Sequence, residues 1–212
     1  MAYIVLIGDI IGSKKIPRRE NFQRGFQRII QKTNEEYRNH FLSPLTVTLG
    51  DEFQGVLKNA DAMFLLLHFV QINLLEQTPD LHIRFSISYG EIDTDINRES
   101  AIGMDGSAFH LAREGIEYSK QEERLFFFRS ELPENEIIND LLNFVDITIS
   151  AWNTIRIGIL HHHRRGLTQK RIRELVGISQ SAVSQNLNQP GMQAVLRAER
   201  SLENYLNKVL KE

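Results

Sequence analysis

The 212-residue sequence contains no cysteine, one tryptophan, five prolines and no long apolar run. Without cysteine, the chain can form neither disulfides nor thiolate metal sites. The apolar stretch 63–70 is interrupted by His68 and is far shorter than the roughly 20 residues of a membrane-spanning helix. No Pro-, Gly- or Ser-rich tract indicates disorder, and the first residues lack the basic region of a secretory signal. We therefore expect a folded, cytoplasmic protein without a membrane role.

Charge is distributed unevenly along the chain. Residues 1–150 carry 15 Lys and Arg against 23 Asp and Glu, whereas residues 151–212 carry 10 against 4. Since contacts with phosphates supply most non-specific affinity for nucleic acids, the basic tail favours a module that faces DNA or RNA. The alternative is an uneven spread of solvated surface charge. The length permits two domains, and we predict them at 1–150 and 151–212.

Two aspartates follow apolar runs that are typical of strands. Asp9 ends the run 3–9, Asp51 follows the run 45–49, and glycines lie beside both. If neighbouring strands bring the two carboxylates together, they suit Mg²⁺ or Mn²⁺, because Mg²⁺ takes one or two carboxylates and leaves its other positions to water and phosphates. The alternative is ordinary turn chemistry, in which Gly-Asp merely closes a strand.

Hydrophobic periodicity predicts the element order β-α-β-β-α-β for the first part of the chain. The predicted elements are a strand at 3–11, a helix at 17–39, a hairpin of 45–49 and 53–57, a helix at 60–75 and a strand at 81–92. This α/β (α+β) order matches the ferredoxin-like arrangement, an antiparallel sheet backed by two helices. Asp51 is expected at the hairpin tip, with Glu52 pointing to the opposite side.

Softer patterns continue beyond residue 92. They predict a helix at 108–119, a strand at 124–129 and mostly helical structure over 134–163.

Four motifs resemble those of nucleotidyl cyclases, both the class III adenylate and guanylate cyclases and the diguanylate cyclases. They are GDIIGSK at 8–14, LGDEF at 49–53, SYGE at 88–91 and GSAFHLAR at 106–113. The resemblance implies a nucleoside triphosphate as ligand or substrate, Asp9 and Asp51 as metal ligands and Arg113 as the arginine that stabilises the transferring phosphoryl group. It implies a triphosphate-binding segment formed by Ile10, Gly12, Ser13, Lys14 and Lys15, with Ile10 as a carbonyl ligand and Lys14 acting together with Arg113 in catalysis.

Three positions depart from the cyclase pattern. Phe109 replaces the asparagine that precedes the catalytic arginine in class III cyclases, and Val47 replaces the adenine-selecting lysine. The doubled glycine of diguanylate cyclases is Leu49-Gly50 here. These departures favour ligand sensing over synthesis. Over almost its whole length, the chain resembles the SatD family, which pairs such an N-terminal segment with a C-terminal helix-turn-helix.

Residues 167–187 resemble a helix-turn-helix. Thr168 and Ser179 are suitable N-caps for two short helices, and Gly177 permits a left-handed turn between them. A small all-α domain that binds DNA is therefore expected, and its alternative is a packing or dimerisation module. The predicted base or phosphate readers are Gln180, Ser181, Ser184 and Gln185, and the predicted DNA backbone contacts are Arg164, Arg165, Lys170 and Arg171.

A final helix is predicted at 192–210. Val195, Leu202 and Val209 recur every seven residues, which is typical of a seam that packs on the same chain or on a second copy. A homodimer is expected, because helix-turn-helix proteins usually bind two half-sites.

The sequence thus favours a bacterial regulator in which a cyclase-like, metal- and nucleotide-binding domain is coupled to a DNA-binding helix-turn-helix. One alternative is an active metal-dependent nucleotidyl cyclase or phosphoryl-transfer enzyme whose tail is a tether. A second is a scaffold that keeps the fold without a ligand.

Overall fold

The computed structural model describes residues 1–13, 16, 18–48, 50–79 and 81–211. The strands are β1 (Ala2–Ile10), β2 (Phe41–Val47), β3 (Glu52–Leu57), β4 (Ile83–Glu91) and β5 (Phe126–Arg129). The helices are α1 (Arg19–Glu36), α2 (Met63–Gln77), α3 (Ser107–Gln121), α4 (Asn135–Ser150), α5 (Thr154–Arg164), α6 (Gln169–Val176), α7 (Gln180–Leu187) and α8 (Pro190–Val209), and a 3-10 turn spans Arg38–His40. Within these described ranges, no helix combines the length and apolarity needed to span a bilayer.

The five strands form one mixed sheet in the order β2-β3-β1-β4-β5. The pairs from β2 to β4 are antiparallel, whereas β4 and β5 are parallel. The chain from β1 to β4 follows the predicted β-α-β-β-α-β order. The sequence did not predict that β5 would extend the sheet in parallel, an arrangement that requires α3 as the crossover.

Both faces of the sheet are covered by helices. On one face, Leu6 and Phe53 belong to a large buried cluster that includes Phe26 of α1 and Phe64 of α2. On the other face, alternate residues of β1 pack against α3 in a second cluster. The predicted sheet backed by two helices is therefore incomplete, because a third helix, α3, covers the opposite face. The charged residues near the ends of the strands lie on this second face.

The C-terminal helices extend the larger core. That cluster runs without interruption from β1 to Leu206 of α8, across the predicted domain boundary at residue 150. The predicted helical region 134–163 consists of two helices, since the chain turns after α4 and the Asn153 side chain accepts a hydrogen bond from the Arg156 amide at the start of α5. The seven-residue seam of α8 faces this chain, with Val195 and Leu202 buried.

Helices α6 and α7 form where the sequence predicts them. The side chains of Thr168 and Ser179 accept hydrogen bonds from backbone amides at the starts of the two helices, and Gly177 has the left-handed conformation with φ of 71°. Buried Ile172 and Val183 join the pair to the larger core.

A buried network of polar and charged side chains ties α2 to the C-terminal helices. His68 on α2 lies 2.7 Å from Glu199 on α8, and the second carboxylate oxygen of Glu199 accepts a hydrogen bond of 2.8 Å from Arg164 on α5. Arg164 also pairs with Glu203, which accepts a hydrogen bond of 3.1 Å from the Phe64 amide. The two predicted parts of the chain are thus joined in the protein interior by the contact between His68 and Glu199 and by the hydrogen bond from the Phe64 amide to Glu203.

Candidate functional site

Asp9 lies near the end of β1, on the face covered by α3. Side chains alternate along a strand, so Asp9 shares a face with Val5 and Ile7. Those two residues pack against α3 in the smaller buried cluster. The Asp9 side chain is only 16% exposed. The apolar run thus ends in a carboxylate held at the rim of the interface between the sheet and α3.

Charged residues on three adjacent strands form a row through Asp9. Glu52 on β3 and Arg84 on β4 lie directly opposite Asp9 in the two antiparallel ladders, so all three side chains lie on the same face. Arg84 Nη1 is 3.6 Å from Asp9 Oδ2. The side chains of Glu52 and Arg84 are 13% and 15% exposed. We call Glu52, Asp9 and Arg84 the charged row.

Helix α3 brings two cations to the charged row. Lys120 follows buried Ile116 by one helical turn, and its Nζ is 4.0 Å from Asp9 Oδ2 and 2.9 Å from Glu117 Oε1. Arg113, the predicted transition-state arginine, has Nη1 3.9 Å from Glu52 Oε1. The charged row is therefore flanked by a lysine and an arginine, the side chains that most often bind phosphate groups.

Asp51 lies in the turn before β3, beside the end of β1. The Ser13 hydroxyl donates a hydrogen bond to the Asp51 carboxylate, and the Ile10 amide donates one of 3.1 Å to the Asp51 carbonyl. These contacts join the turn after β1 to the turn between β2 and β3. Asp9, Asp51 and Arg113 are thus brought to one end of the sheet.

The predicted triphosphate segment is described in part. Gly12 has φ of 72°, a left-handed conformation that favours glycine, and Ser13 is buried. Lys14 and Lys15 lie outside the described residues, as does Leu49 of the second motif.

Burial and neighbouring charges oppose each other at this site. Burial raises the pKa of Asp9; Lys120 and Arg84 lower it, Asp51 and Glu52 raise it further, and the net shift is upward. Partial burial lowers the pKa of Lys120, but its hydrogen bond to Glu117 and its attraction to Asp9 outweigh this effect and raise it overall. The carboxylate of Asp9 is therefore held in an environment that disfavours its charge.

The donor set fits a magnesium-type ion that keeps much of its own water. Asp9 and Asp51 supply two carboxylates, and Mg²⁺ is commonly bound by one or two together with substrate phosphates. Among the residues described, no group of three or more His, Cys, Asp or Glu has the geometry of a metal site. An all-protein cage is thus excluded for the described residues, whereas a site completed by phosphate and water matches the carboxylates present.

Sequence reasoning missed three residues of this site. It assigned Glu52 to the side of the hairpin away from the site, but pairing with Asp9 puts it in the charged row. Arg84 could have been found from its alternation with Ser86 and Ser88 on β4, both of which contact α3. Lys120 could have been found from its spacing of four from Ile116.

The predicted DNA readers lie on and around α7. Gln180, Ser181 and Gln185 are exposed, and Ser184 is half-buried. Lys170 is exposed on α6, and Arg171 pairs with Glu174 at 2.8 Å. The spacing of Gln180, Ser181, Ser184 and Gln185 puts these four side chains on one side of α7.

Two of the predicted backbone contacts have partners elsewhere in the chain. Arg165 pairs with Glu36 of α1 at 2.6 Å while remaining partly exposed. Arg164 is 10% exposed, and its guanidinium is held between Glu199 and Glu203. Arg164 therefore has the position of a structural residue rather than of a DNA contact.

Comparison with known proteins identifies one family. The SatD family model matches residues 3–206. No curated protein matches the chain. Among solved structures, a bacterial light-regulated adenylyl cyclase is 16% identical, with a TM-score of 0.42 over 60% of this chain and 74% of that one. A second structure of such a cyclase is also 16% identical, with a TM-score of 0.41 over 60% of this chain and 43% of that one.

Proposed function

The chain belongs to the SatD family, and we propose that it is a regulator that binds a divalent cation with a nucleoside triphosphate and responds through a DNA-binding helix-turn-helix. One observation carries the ligand part of this proposal. Asp9, largely buried, lies beside a second acid at the same end of the sheet, while Arg84, Lys120 and Arg113 surround them. Acids that attract a cation next to bases that attract phosphates suit a metal–triphosphate complex.

The fold also supports the proposal of a metal–triphosphate site. The β2-β3-β1-β4 order with antiparallel neighbours matches a ferredoxin-like, cyclase-type domain. Backbone N–H groups of a glycine-bearing turn attract anions, and such a turn follows β1 at Gly12. In this proposal Asp9 and Asp51 hold the ion, the turn at Gly12 and Ser13 contacts phosphate oxygens together with Lys14 and Lys15, and Ile10 offers a carbonyl ligand.

The DNA-binding part rests on α6 and α7. Two capped helices joined by a left-handed glycine present exposed Gln180 and Gln185 on the second helix, where a recognition helix carries its base contacts. Amide side chains of this kind read adenine in the major groove. Lys170, Arg171 and Arg165 would contact the DNA backbone. The buried contacts of His68 and the Phe64 amide on α2 with Glu199 and Glu203 on α8 offer a connection through which the ligand could affect these helices.

An active nucleotidyl cyclase is the second candidate. It is favoured by Arg113, which reaches the charged row from α3. It is disfavoured by Phe109, which is buried where class III cyclases carry a polar asparagine.

Two assays separate these functions. Fluorescence anisotropy with duplex DNA should give a salt-dependent affinity that changes when Mg²⁺ and the triphosphate are added, and Lys170→Ala should reduce the logarithmic salt slope by about 0.9. Pyrophosphate release from each common triphosphate should be absent for a regulator. Release that disappears in Asp51→Ala would instead identify an enzyme, and the absence of both nucleotide and DNA binding would refute both candidates.

A further inference from the structure

Helix α4 carries a stripe of exposed apolar side chains. Ile137, Phe144 and Ile147 are 67%, 71% and 63% exposed, although large apolar residues clustered on one helix normally face a core. Together with half-buried Leu141, they recur at helical spacing along one side of α4. Contiguous exposed apolar patches on soluble proteins usually mark an interaction site. Ile147 differs from the others in that it also lines a cavity together with Ile11, just after β1.

The stripe borders a groove between α4 and α8. The groove has a volume of about 440 Å³ and is lined almost entirely by apolar surface, with Ile137, Leu141 and Phe144 on one wall and Ser201 and Tyr205 on the other. The Tyr205 hydroxyl donates a hydrogen bond of 2.6 Å to Glu134 across one end. We call this surface, the exposed sides of α4 and α8 with the groove between them, the α4–α8 face.

The two helices of this face carry opposite exposed charges. Helix α4 contains no Lys or Arg, and its exposed charges include Glu136 and Asp140. On α8 both acids, Glu199 and Glu203, are buried, so the exposed charges of that helix are basic: Arg197, Arg200 and Lys208. The α4–α8 face therefore has an acidic side and a basic side, separated by apolar side chains.

The helices run antiparallel, which decides how two such faces can meet. Glu134 at the start of α4 bonds Tyr205 late in α8, and Thr148 near the end of α4 lies beside Gly191 at the start of α8. A two-fold axis perpendicular to the helices can set α4 on α4, with acids against acids. A two-fold axis parallel to them sets α4 of each copy against α8 of the other, at the same level and with opposite charges together.

We propose that the α4–α8 face binds a second copy of this chain in the second arrangement, forming a four-helix bundle of two α4–α8 pairs. Asp140 lies between the levels of Arg197 and Arg200 and faces Arg197 of the partner copy. The occupant is a second copy because one surface supplies both halves of the charge pattern and the apolar stripe, which is the condition for an isologous contact. This inference does not depend on the proposed nucleotide or DNA binding.

The size of the face predicts a reversible dimer. The paired part of the two helices is about 20 Å long and two helices wide, so its flat area is on the order of 400 Å² per copy. Specific interfaces commonly bury about 800 Å² of accessible surface per partner. We expect dissociation in the micromolar range, within reach of sedimentation velocity between about 1 and 100 μM.

Sedimentation velocity of the full chain tests the proposal. The wild type should shift from monomer to dimer with concentration, and Phe144→Glu should weaken the dimer at least tenfold while far-ultraviolet circular dichroism stays unchanged. Ile102→Glu is the matched control, because it makes the same kind of change at another apolar residue, 53% exposed, away from this face. A wild type that stays monomeric at 100 μM, or a dimer indifferent to Phe144→Glu, would overturn the proposal.

A charge exchange tests the arrangement itself. Asp140 and Arg197 are both exposed, so reversing either charge leaves the core unchanged. Asp140→Arg and Arg197→Asp should each weaken self-association, because each opposes like charges across the interface. An equimolar mixture of the two variants should form heterodimers with near wild-type affinity. A mixture that associates no better than either variant alone would overturn the parallel two-fold arrangement.

Discussion

Asp9 on β1 lies directly opposite Glu52 on β3, and both carboxylates lie on the face of the sheet covered by α3. Like charges in directly opposed cross-strand positions destabilise a sheet. Burial adds to this cost and raises the pKa of Asp9, although Lys120 and Arg84 act against the shift. A bound cation would relieve the repulsion between the carboxylates. The pair therefore has a stronger rationale in binding than in stability.

Asp9→Asn should stabilise the protein in the absence of metal. The pKa of Asp9 is raised in the folded state, so folding disfavours the charged carboxylate. The stability that this shift contributes at low pH is lost as pH rises through the folded-state pKa. Replacing it with a neutral isostere should raise the melting temperature at pH 7 in EDTA by about 2–4 °C, the effect of roughly 1 kcal/mol in a chain of this size. The same variant should lose any stabilisation by Mg²⁺ with triphosphate. Differential scanning fluorimetry measures both, and a lower melting temperature in EDTA would contradict the account.

Glu199→Leu should be severely destabilising. The substitution leaves His68 and Arg164 buried without their shared carboxylate, and breaking a buried pair typically costs about 3–5 kcal/mol. Urea denaturation measures the free energy of unfolding. As a control, Glu174→Ala breaks the exposed pair with Arg171, and we expect at most about 1 kcal/mol. Similar losses in the two variants would show that the buried network does not join α2 to the C-terminal helices.

Acid should destabilise the protein through His161. Burial, with smaller effects of His68, His162 and Arg165, lowers the pKa of His161 to about 3. In the unfolded chain this histidine binds its proton near pH 6.5. The contribution of His161 to folding stability is therefore fully present above that pH, and it falls by about 1.4 kcal/mol per pH unit as pH decreases towards 3.

His161→Phe removes this proton and retains an aromatic ring beside Phe69. Burial raises the pKa of Glu203 to about 7, although Arg164 acts against this shift. Protonation of Glu203 therefore stabilises the folded state as pH falls from about 7 to 4.5, but it does so equally in the wild type and in the variant. The difference in unfolding free energy between wild type and variant should therefore shift by about 2 kcal/mol in favour of the variant from pH 7.5 to pH 5. If the unfolding free energies of the wild type and His161→Phe changed in parallel with pH, the lowered pKa of His161 would be contradicted.

The sequence predicted local features well and long-range ones poorly. The first strand, which carries Asp9 near its end, and the caps Thr168 and Ser179 depend on residues a few positions apart. The position of Glu52 depends on the register of β3 on β1, where a shift of one residue reverses the face of every side chain. The pairing of His68 with Glu199 joins residues 131 positions apart, which no local pattern encodes. Asp9, Asp51 and Arg113 were thus recognised from the sequence, whereas Glu52, Arg84 and Lys120 were not.

Gly106→Ala should disturb both the fold and the site. Gly106 precedes α3 with φ of 144°, and a Cβ there would lie 2.5 Å from the Glu91 carbonyl oxygen and 2.7 Å from the Ile92 Cα. Backbone atoms cannot yield at these distances, so we expect a loss of about 3 kcal/mol or more. Displacement of α3 should also withdraw Arg113 and Lys120 and weaken nucleotide binding.

Gly103→Ala is the matched control for this change. Gly103 also has a positive φ, but open space surrounds its Cβ position, so only the conformational cost of about 1 kcal/mol is expected. Thermal or urea denaturation of the two variants measures the difference. Equal losses would mean that close packing at Gly106 does not position α3.

Isothermal titration calorimetry with each common nucleoside triphosphate, with and without Mg²⁺, tests the central claim most directly. We predict that the wild type binds at least one triphosphate in a Mg²⁺-dependent manner. Asp51→Asn should weaken that binding at least tenfold, while Asp105→Asn, a change at an exposed aspartate paired with His110, should leave it unchanged. Binding that is absent for every triphosphate, or that is equally strong in Asp51→Asn, would contradict a metal–nucleotide site at Asp9 and Asp51.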